Sequence, residues 1–148
     1  MFKFFLLIFI CTISSADSID IDKLLGEAKK SRKHVLVFLH KPHCGYCENM
    51  ILFTLPEDEV AQKIQKSFIF VDIDIADAGE VIFDDFKGSK HDFAKSLGFN
   101  FYPSSVFIDE DEEVVYGQAG YKDEDKYLKI LRFVESRSYV NMGLDDFK

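Results

Sequence analysis

The feature that most constrains the fold is an apolar run that leads directly into two closely spaced cysteines. Residues 34–40, HVLVFLH, form a short run of strand-favouring residues, the pattern of a strand buried on both faces of a sheet. Cys44 and Cys47 follow within HKPHCGYC, and the next residues, to about Phe53, suit a helix that Pro56 ends or kinks. A strand therefore delivers a Cys-x-x-Cys pair to the first turn of a helix.

The rest of the chain alternates between helical and extended patterns. Amphipathic spacing and turn residues predict the order α-β-α-β-α-β-β-α, with a short helix that stops at Gly98. Residues 77–90 read as a connection that could include a short extended piece at EVIFDDF, and the tail from Val140 reads as loose. The first two strands should pair in parallel and the last two as an antiparallel hairpin. The predicted fold class is α/β, a small mixed sheet with helices on both faces. The predicted strands are residues 34–40, 68–76, 104–109 and 113–118.

The first 16 residues have the pattern of a signal peptide. Lys3 gives a positive start, Phe4 to Ile13 form an apolar stretch, and Ser14-Ser15-Ala16 resembles a small-residue cleavage site. The apolar stretch is short for a membrane span, which leaves an uncleaved anchor as the alternative. We therefore expect a signal peptide at residues 1–16 and one folded domain at residues 17–148.

Cleavage after Ala16 would change the cysteine content and the charge. Cys11 would leave with the peptide, so only Cys44 and Cys47 of the three cysteines would remain, in a compartment where disulfides persist. Cleavage also removes one base, Lys3, and no acid, so the net charge of −8 would become −9. Such acidity argues against nucleic acid as a partner, although it is also what plain solubility requires.

Three uses of the cysteine pair compete. A zinc site needs about four ligands, and this chain offers one Cys-x-x-Cys pair, with His40 expected in the strand and His43 in the turn. A purely structural disulfide between Cys44 and Cys47 would close almost no loop and so remove little entropy from the unfolded chain. Thiol–disulfide exchange is the third use, and it accounts for the position of the pair as well as its spacing.

The exchange reaction needs a reactive and a resolving cysteine. Free N–H groups and the helix dipole at the start of a helix stabilise a thiolate, so Cys44 would attack a substrate disulfide. Cys47, one turn further and more buried, would then attack Cys44 and release the reduced substrate. The reverse sequence oxidises a dithiol. No metal or organic cofactor is required.

Four features together resemble the thioredoxin superfamily. They are the apolar strand that enters CGYC, the helix after it, a proline that opens a strand in YPSSVFID, and a hairpin that leads through Gly120 to a last helix. The match covers nearly all of residues 19–138 and implies a thioredoxin fold. It also implies that Pro103 is cis and lies against the cysteines, and that the backbone of Tyr102 pairs with an extended substrate chain. From the sequence alone, an ordinary trans bond at Tyr102–Pro103 is the alternative.

Within the superfamily, residues 40–75 look most like secreted bacterial proteins of the SoxW type, and CGYC is shared with DsbC-type disulfide isomerases. The dimerisation domain of the DsbC family has no counterpart in the sequence. The resemblance implies a periplasmic thiol–disulfide oxidoreductase that reduces disulfides of secreted proteins. It also implies a membrane thiol protein of the DsbD or CcdA kind as electron donor. The alternatives are a thiol oxidase or isomerase of the same fold, or a non-catalytic metal-binding or chaperone-like module.

The chain departs from cytosolic thioredoxins around the cysteines. Those proteins carry Trp before the first cysteine, Gly-Pro between the pair and a buried Asp six residues before it, where this chain has His43, Gly45-Tyr46 and Phe38. A protonated His43 would stabilise the thiolate, or it is a surface turn residue. Glu48 would replace the missing acid, or it is a solvated helix residue. Tyr46 and Tyr102 would give substrates an apolar platform, or they pack internally.

Overall fold

The computed structural model describes residues 18–148, so the predicted signal peptide lies outside the described residues. Within the described residues, every helix is too short or too polar to span a bilayer. In this part of the chain, strands β1 to β7 span Ile19–Asp20, His34–His40, Phe68–Asp74, Glu80–Phe83, Phe86–Ser89, Ser104–Ile108 and Val114–Ala119. The α-helices of residues 18–148, α1 to α5, span Ile21–Ser31, Gly45–Asn49, Asp58–Ser67, Lys90–Ser96 and Glu124–Glu135. A π-helical segment, Met50–Thr54, continues α2, and 3₁₀ turns at Ser138–Val140 and Leu144–Asp146 follow α5.

The larger sheet has the strand order β3-β2-β6-β7, so β2 and β6 are its two inner strands. As the sequence predicts, β2 pairs in parallel with β3, and β6 pairs with β7 as an antiparallel hairpin. Strand β6 also runs antiparallel to β2. Residues 35–39 of β2 are fully buried, which explains why the run HVLVFL is apolar without alternation.

Two hydrophobic cores cover the two faces of this sheet. Val35, Val37 and Leu39 project into a core shared with α1 and α4, whereas Leu36 and Phe38 project into a core shared with α3 and α5. Alternate residues of one strand supply the two cores because successive side chains point to opposite faces. The predicted α/β architecture, with helices on both faces, is confirmed.

A second, three-stranded sheet is the main feature that the sequence did not predict. It has the order β1-β4-β5, so residues 77–90 form a hairpin rather than a plain connection. Asp84, with φ of 51°, stands in the hairpin turn. The rings of Phe83 and Phe86 pack on Phe93 of α4, with centroids 6.1 and 5.6 Å away. These contacts fix the hairpin against the core that contains α1 and α4.

The C-terminal tail is packed, so the expectation of a loose end is wrong. Phe147 lies edge-on against Phe133 of α5, with ring centroids 5.5 Å apart, and Leu144 packs on the same core. Slightly earlier in the chain, the hydroxyl of Tyr139 is 2.9 Å from Nε2 of the buried His34. Apolar side chains spaced between acids hold this segment to α5.

Candidate redox site

Cys44 and Cys47 lie at the start of α2, shortly after β2 ends. Cys44 is the N-cap residue, with φ of −119° and ψ of 98°, and its Sγ accepts a hydrogen bond from the Cys47 N–H at 3.2 Å. The two cysteines form a disulfide with their Cα atoms 5.2 Å apart. Cys47 is 1% exposed, whereas Cys44 is partly exposed. The pair therefore presents one accessible sulfur and one buried sulfur.

A tight turn connects β2 to this helix and places His43 beside the pair. His43 has φ of 55°, in the left-handed region that side chains other than glycine seldom adopt. The imidazole is exposed to solvent. His43 thus lies next to Cys44 in the chain, at the surface.

The segment that contains Tyr102 and Pro103 faces the cysteines from the other side. The Tyr102–Pro103 peptide bond is cis, and the carbonyl oxygen of Tyr102 is 3.7 Å from Cys44 Sγ. The Gly120 N–H donates a hydrogen bond to the Pro103 carbonyl at 2.7 Å. The structure thus brings Cys44, Cys47, Tyr102 and Pro103 together at one end of the larger sheet.

One residue between the two cysteines and the residue whose carbonyl faces them are both tyrosines. The ring of Tyr46 stacks on Tyr121, with centroids 6.4 Å apart and planes 30° apart. Lys41 Nζ lies 5.9 Å from the ring centroid of Tyr102, and burial raises the pKa of that phenol. Sequence reasoning singled out Tyr46 and Tyr102 but missed Tyr121, which only the folded chain brings to the site.

The position of the missing buried acid holds a packed aromatic ring. Phe38 is fully buried, and Glu48 is exposed on α2, as expected of a solvated helix residue. His40, to which the sequence gave no role, ends β2 with its Nε2 2.9 Å from Asp72 Oδ1. The hydrogen bond to Asp72 raises the pKa of His40 against the opposing effect of burial. Within residues 18–148, no cluster of three or more His, Cys, Asp or Glu could hold a metal ion.

The paired His40 predicts a pH-dependent contribution to stability. Because its pKa is raised in the folded protein, the contribution is present below the unfolded value of about 6.5 and is lost as the pH rises through the folded pKa. We expect Asp72→Asn to lower the pKa of His40, measured from the ring protons by NMR, and to destabilise the protein more at pH 5.5 than at pH 9. Asp74→Asn is the matched control, since Asp74 acts on His40 only through its charge, and its effect should be smaller. An unchanged His40 titration in Asp72→Asn would contradict the pairing.

The strand, the cysteine pair at a helix start and the neighbouring proline define a thioredoxin fold. The chain belongs to the thioredoxin-like domain family, which matches residues 21–135. No sequence among the curated proteins matches the chain.

Solved structures with the same fold include a thioredoxin and a domain of DsbD. A thioredoxin-fold protein from Helicobacter pylori is 20% identical, with 78% of this chain and 76% of that chain covered and a TM-score of 0.64. A thioredoxin from Thermus thermophilus is 23% identical, with 81% and 87% covered and a TM-score of 0.61. The oxidised C-terminal domain of DsbD from Neisseria meningitidis is 19% identical, with 76% and 87% covered and a TM-score of 0.56. At these identities the likeness establishes the fold.

Proposed function

We propose that this protein is a thiol–disulfide oxidoreductase that reduces disulfides of secreted proteins through Cys44 and Cys47. The observation that carries the proposal is the asymmetry of the pair. Cys44 caps α2 and is partly exposed, whereas its disulfide partner Cys47 is buried. Such a site suits attack by one sulfur and resolution by the other.

Reduction of a substrate disulfide takes place in two thiol–disulfide exchanges. The Cys44 thiolate attacks one sulfur of a substrate disulfide, which forms a mixed disulfide and releases the second substrate sulfur as a thiol. The Cys47 thiolate then attacks Cys44 Sγ, which forms the Cys44–Cys47 disulfide and releases the first substrate sulfur as a thiol. Two electrons pass to the substrate. The Cys47 N–H, which already donates to Cys44 Sγ, can hold the negative charge of the attacking sulfur.

The substrate chain is proposed to lie along Tyr102. An extended chain beside Tyr102 can pair with its backbone while a substrate sulfur approaches Cys44, because the Tyr102 carbonyl lies 3.7 Å from Cys44 Sγ. His43 is proposed to favour the Cys44 thiolate when it is protonated. Replacement of His43 by alanine should then slow the exchange with a model disulfide.

We place this reaction in the periplasm, on the pattern of residues 1–16. A reductase in an oxidising compartment needs a source of electrons. A membrane thiol protein of the DsbD or CcdA kind would regenerate the reduced pair by the same exchange chemistry.

A thiol oxidase or isomerase is the second candidate, since Tyr46 stands between the cysteines where cytosolic thioredoxins have proline. The reduction potential separates the two. We expect equilibration of residues 17–148 with glutathione or dithiothreitol to give a value near about −270 mV, as in thioredoxin. A value near about −120 to −180 mV would replace the reductase with the oxidase or isomerase. A pair that forms no reversible disulfide would rule out both.

A further inference from the structure

Two tyrosines beside the redox pair are stacked on each other and yet open to solvent. Tyr46 is 67% exposed and Tyr121 is 37% exposed, although their ring centroids are 6.4 Å apart. An exposed aromatic pair keeps a large apolar face in water. The exchange reaction described above does not use this face.

Both tyrosines lie on backbone segments that adjoin the redox pair. Tyr46 is in the first turn of α2, two residues after Cys44. Tyr121 follows Gly120, whose N–H is bonded to the Pro103 carbonyl. On the other side of Tyr121, the Lys122 N–H contacts Met50 Sδ at 3.4 Å. The two rings are therefore held by backbone next to Cys44 and Pro103, where a chain bonded to Cys44 can reach them.

The surface around the two rings is acidic. Glu48 and Asn49 line a shallow depression beside Tyr46. Glu124 and Asp125, three and four residues after Tyr121, begin α5, and the carboxylates of Glu57, Asp58 and Glu59 at the start of α3 act on Glu124. Loss of hydration and then repulsion from these neighbours raise the pKa of Glu124.

The side chains of two lysines near Tyr121 contact residues that are close to them in the chain. Lys126 Nζ is 2.8 Å from Asp123 Oδ2, and Lys122 Nζ donates to the carbonyls of Ala119 and Tyr121. Lys122 keeps its positive charge, because carbonyl groups are neutral, and Glu59 is paired with Arg132 at 3.5 Å. The remaining carboxylates of Glu48, Glu57, Asp58, Glu124 and Asp125 still outnumber this cation, and a net negative charge favours cationic partners.

We propose that Tyr46 and Tyr121 form a docking platform for an aromatic side chain next to the reacting cysteine of an extended substrate polypeptide. The neighbouring carboxylates make the protein prefer substrates that also carry Lys or Arg in that segment. This inference rests on the proposed function and names the class of substrate. Aromatic rings pack on tyrosine in offset or edge-on geometry, and Lys or Arg can lie over a tyrosine face.

The alternative is that the tyrosine pair only staples the β7–α5 connection to α2. Stapling would alter the position and reactivity of Cys44 for every disulfide equally. Docking would alter the preference among substrates. The decisive quantity is therefore the ratio of rates for two substrates, in which a change in cysteine reactivity cancels.

The experiment uses the pre-reduced protein and four synthetic peptide disulfides. The peptides differ next to the cysteine only, with Phe or Ala at one position and Lys or Glu at another. Second-order rate constants come from acid quenching followed by chromatography of the released peptide thiol. We expect Phe peptides to react about three- to tenfold faster than Ala peptides, on the strength of one aromatic contact. Lys peptides should exceed Glu peptides, and this excess should shrink at high salt.

Variants of Tyr121 test the platform without changing the residues between the cysteines. Tyr121→Ala should bring the Phe-to-Ala ratio close to one, and Tyr121→Phe should retain it. Phe53→Ala is the matched control, because Phe53 is 62% exposed on the π-helical segment and contacts neither tyrosine ring as a stacked partner. It should keep the wild-type ratio.

Each other outcome overturns the inference. Equal rates for all four peptides in the wild-type protein, or an unchanged ratio in Tyr121→Ala, would leave the oxidoreductase intact and remove the platform. If the wild-type protein reduces no peptide disulfide, the proposed function itself fails. Loss of the ratio in Phe53→Ala as well would show that the preference does not belong to the tyrosine pair.

Discussion

Replacement of Cys44 by serine should abolish disulfide reduction. A serine hydroxyl is not ionised at neutral pH and forms no disulfide, and the remaining Cys47 is only 1% exposed. We expect the rate of insulin reduction to fall below about one thousandth of the wild-type rate, in line with the loss of a nucleophile in other covalent enzymes. A Cys44→Ser protein that still reduced insulin at the normal rate would refute the mechanism.

Replacement of Cys47 by serine should have a different result. Cys44 can still attack a substrate, but no second thiol can resolve the mixed disulfide. Covalent complexes should accumulate and be visible by non-reducing electrophoresis and by intact mass. The double variant, Cys44→Ser with Cys47→Ser, is the control and should form none. The order of attack would be wrong if Cys44→Ser trapped substrates and Cys47→Ser did not.

The parts of the fold that the sequence predicted are those with a strong local signal. Strand β2 was predicted at its observed bounds, because a strand buried on both faces must be apolar throughout. Its parallel partner β3 and the β6–β7 hairpin followed from the order of elements and the turn residues between them. The end of α2 was less accurate, because the helix passes into a π-helical segment that no simple spacing marks.

The second sheet escaped prediction for a physical reason. Strand β1 has two residues, and the β4–β5 hairpin turns through Asp84 and Asp85 without the glycine that usually marks such turns. Short strands of this kind are not stable alone. The packing of Phe83 and Phe86 on α4 stabilises the hairpin, and local sequence patterns do not reveal this packing. The tail was mispredicted in the same way, since Phe147 is ordered by Phe133 on another element.

The residues of the candidate site also differ in how well the sequence predicted them. The spacing of the cysteines predicted the redox pair, and the family resemblance predicted the position of the proline. Tyr121 and the His40–Asp72 pair had no signal of their own, because each becomes part of the site through a partner that is distant in the chain. Only the folded structure brings these residues next to their partners.

Substitution of Phe38 should have the largest effect on stability. Its ring is fully buried, with centroids 5.6 Å from His40 and 6.3 Å from Phe70. Phe38→Ala removes this packing and leaves a cavity, so the free energy of unfolding should fall by about 3–5 kcal/mol. That is a large share of the about 5–15 kcal/mol typical of a domain. Urea unfolding of the oxidised protein measures it.

Phe38→Asp places an acid where cytosolic thioredoxins have one. At neutral pH we expect this variant to have a lower free energy of unfolding than Phe38→Ala. The strand register sets position 38 opposite Asp72, so an introduced carboxylate would lose hydration and face a like charge. Both effects raise its folded pKa above the usual value of about 3.9. The destabilisation relative to Phe38→Ala should therefore be small near pH 4, grow as the pH rises, and level off above the folded pKa.

The comparison of the two variants also tests how the buried thiol loses its proton. If Phe38→Asp matched Phe38→Ala in stability at pH 7, the pocket would accommodate a charged group, with His40 as its partner. An acid at this position could then serve Cys47 as it does in the cytosolic proteins. If Phe38→Asp is the less stable of the two, as we expect, the apolar packing of β2 excludes that arrangement. Because the wild-type chain keeps Phe38 there, the proton of Cys47 would pass to water or to the substrate sulfur that leaves.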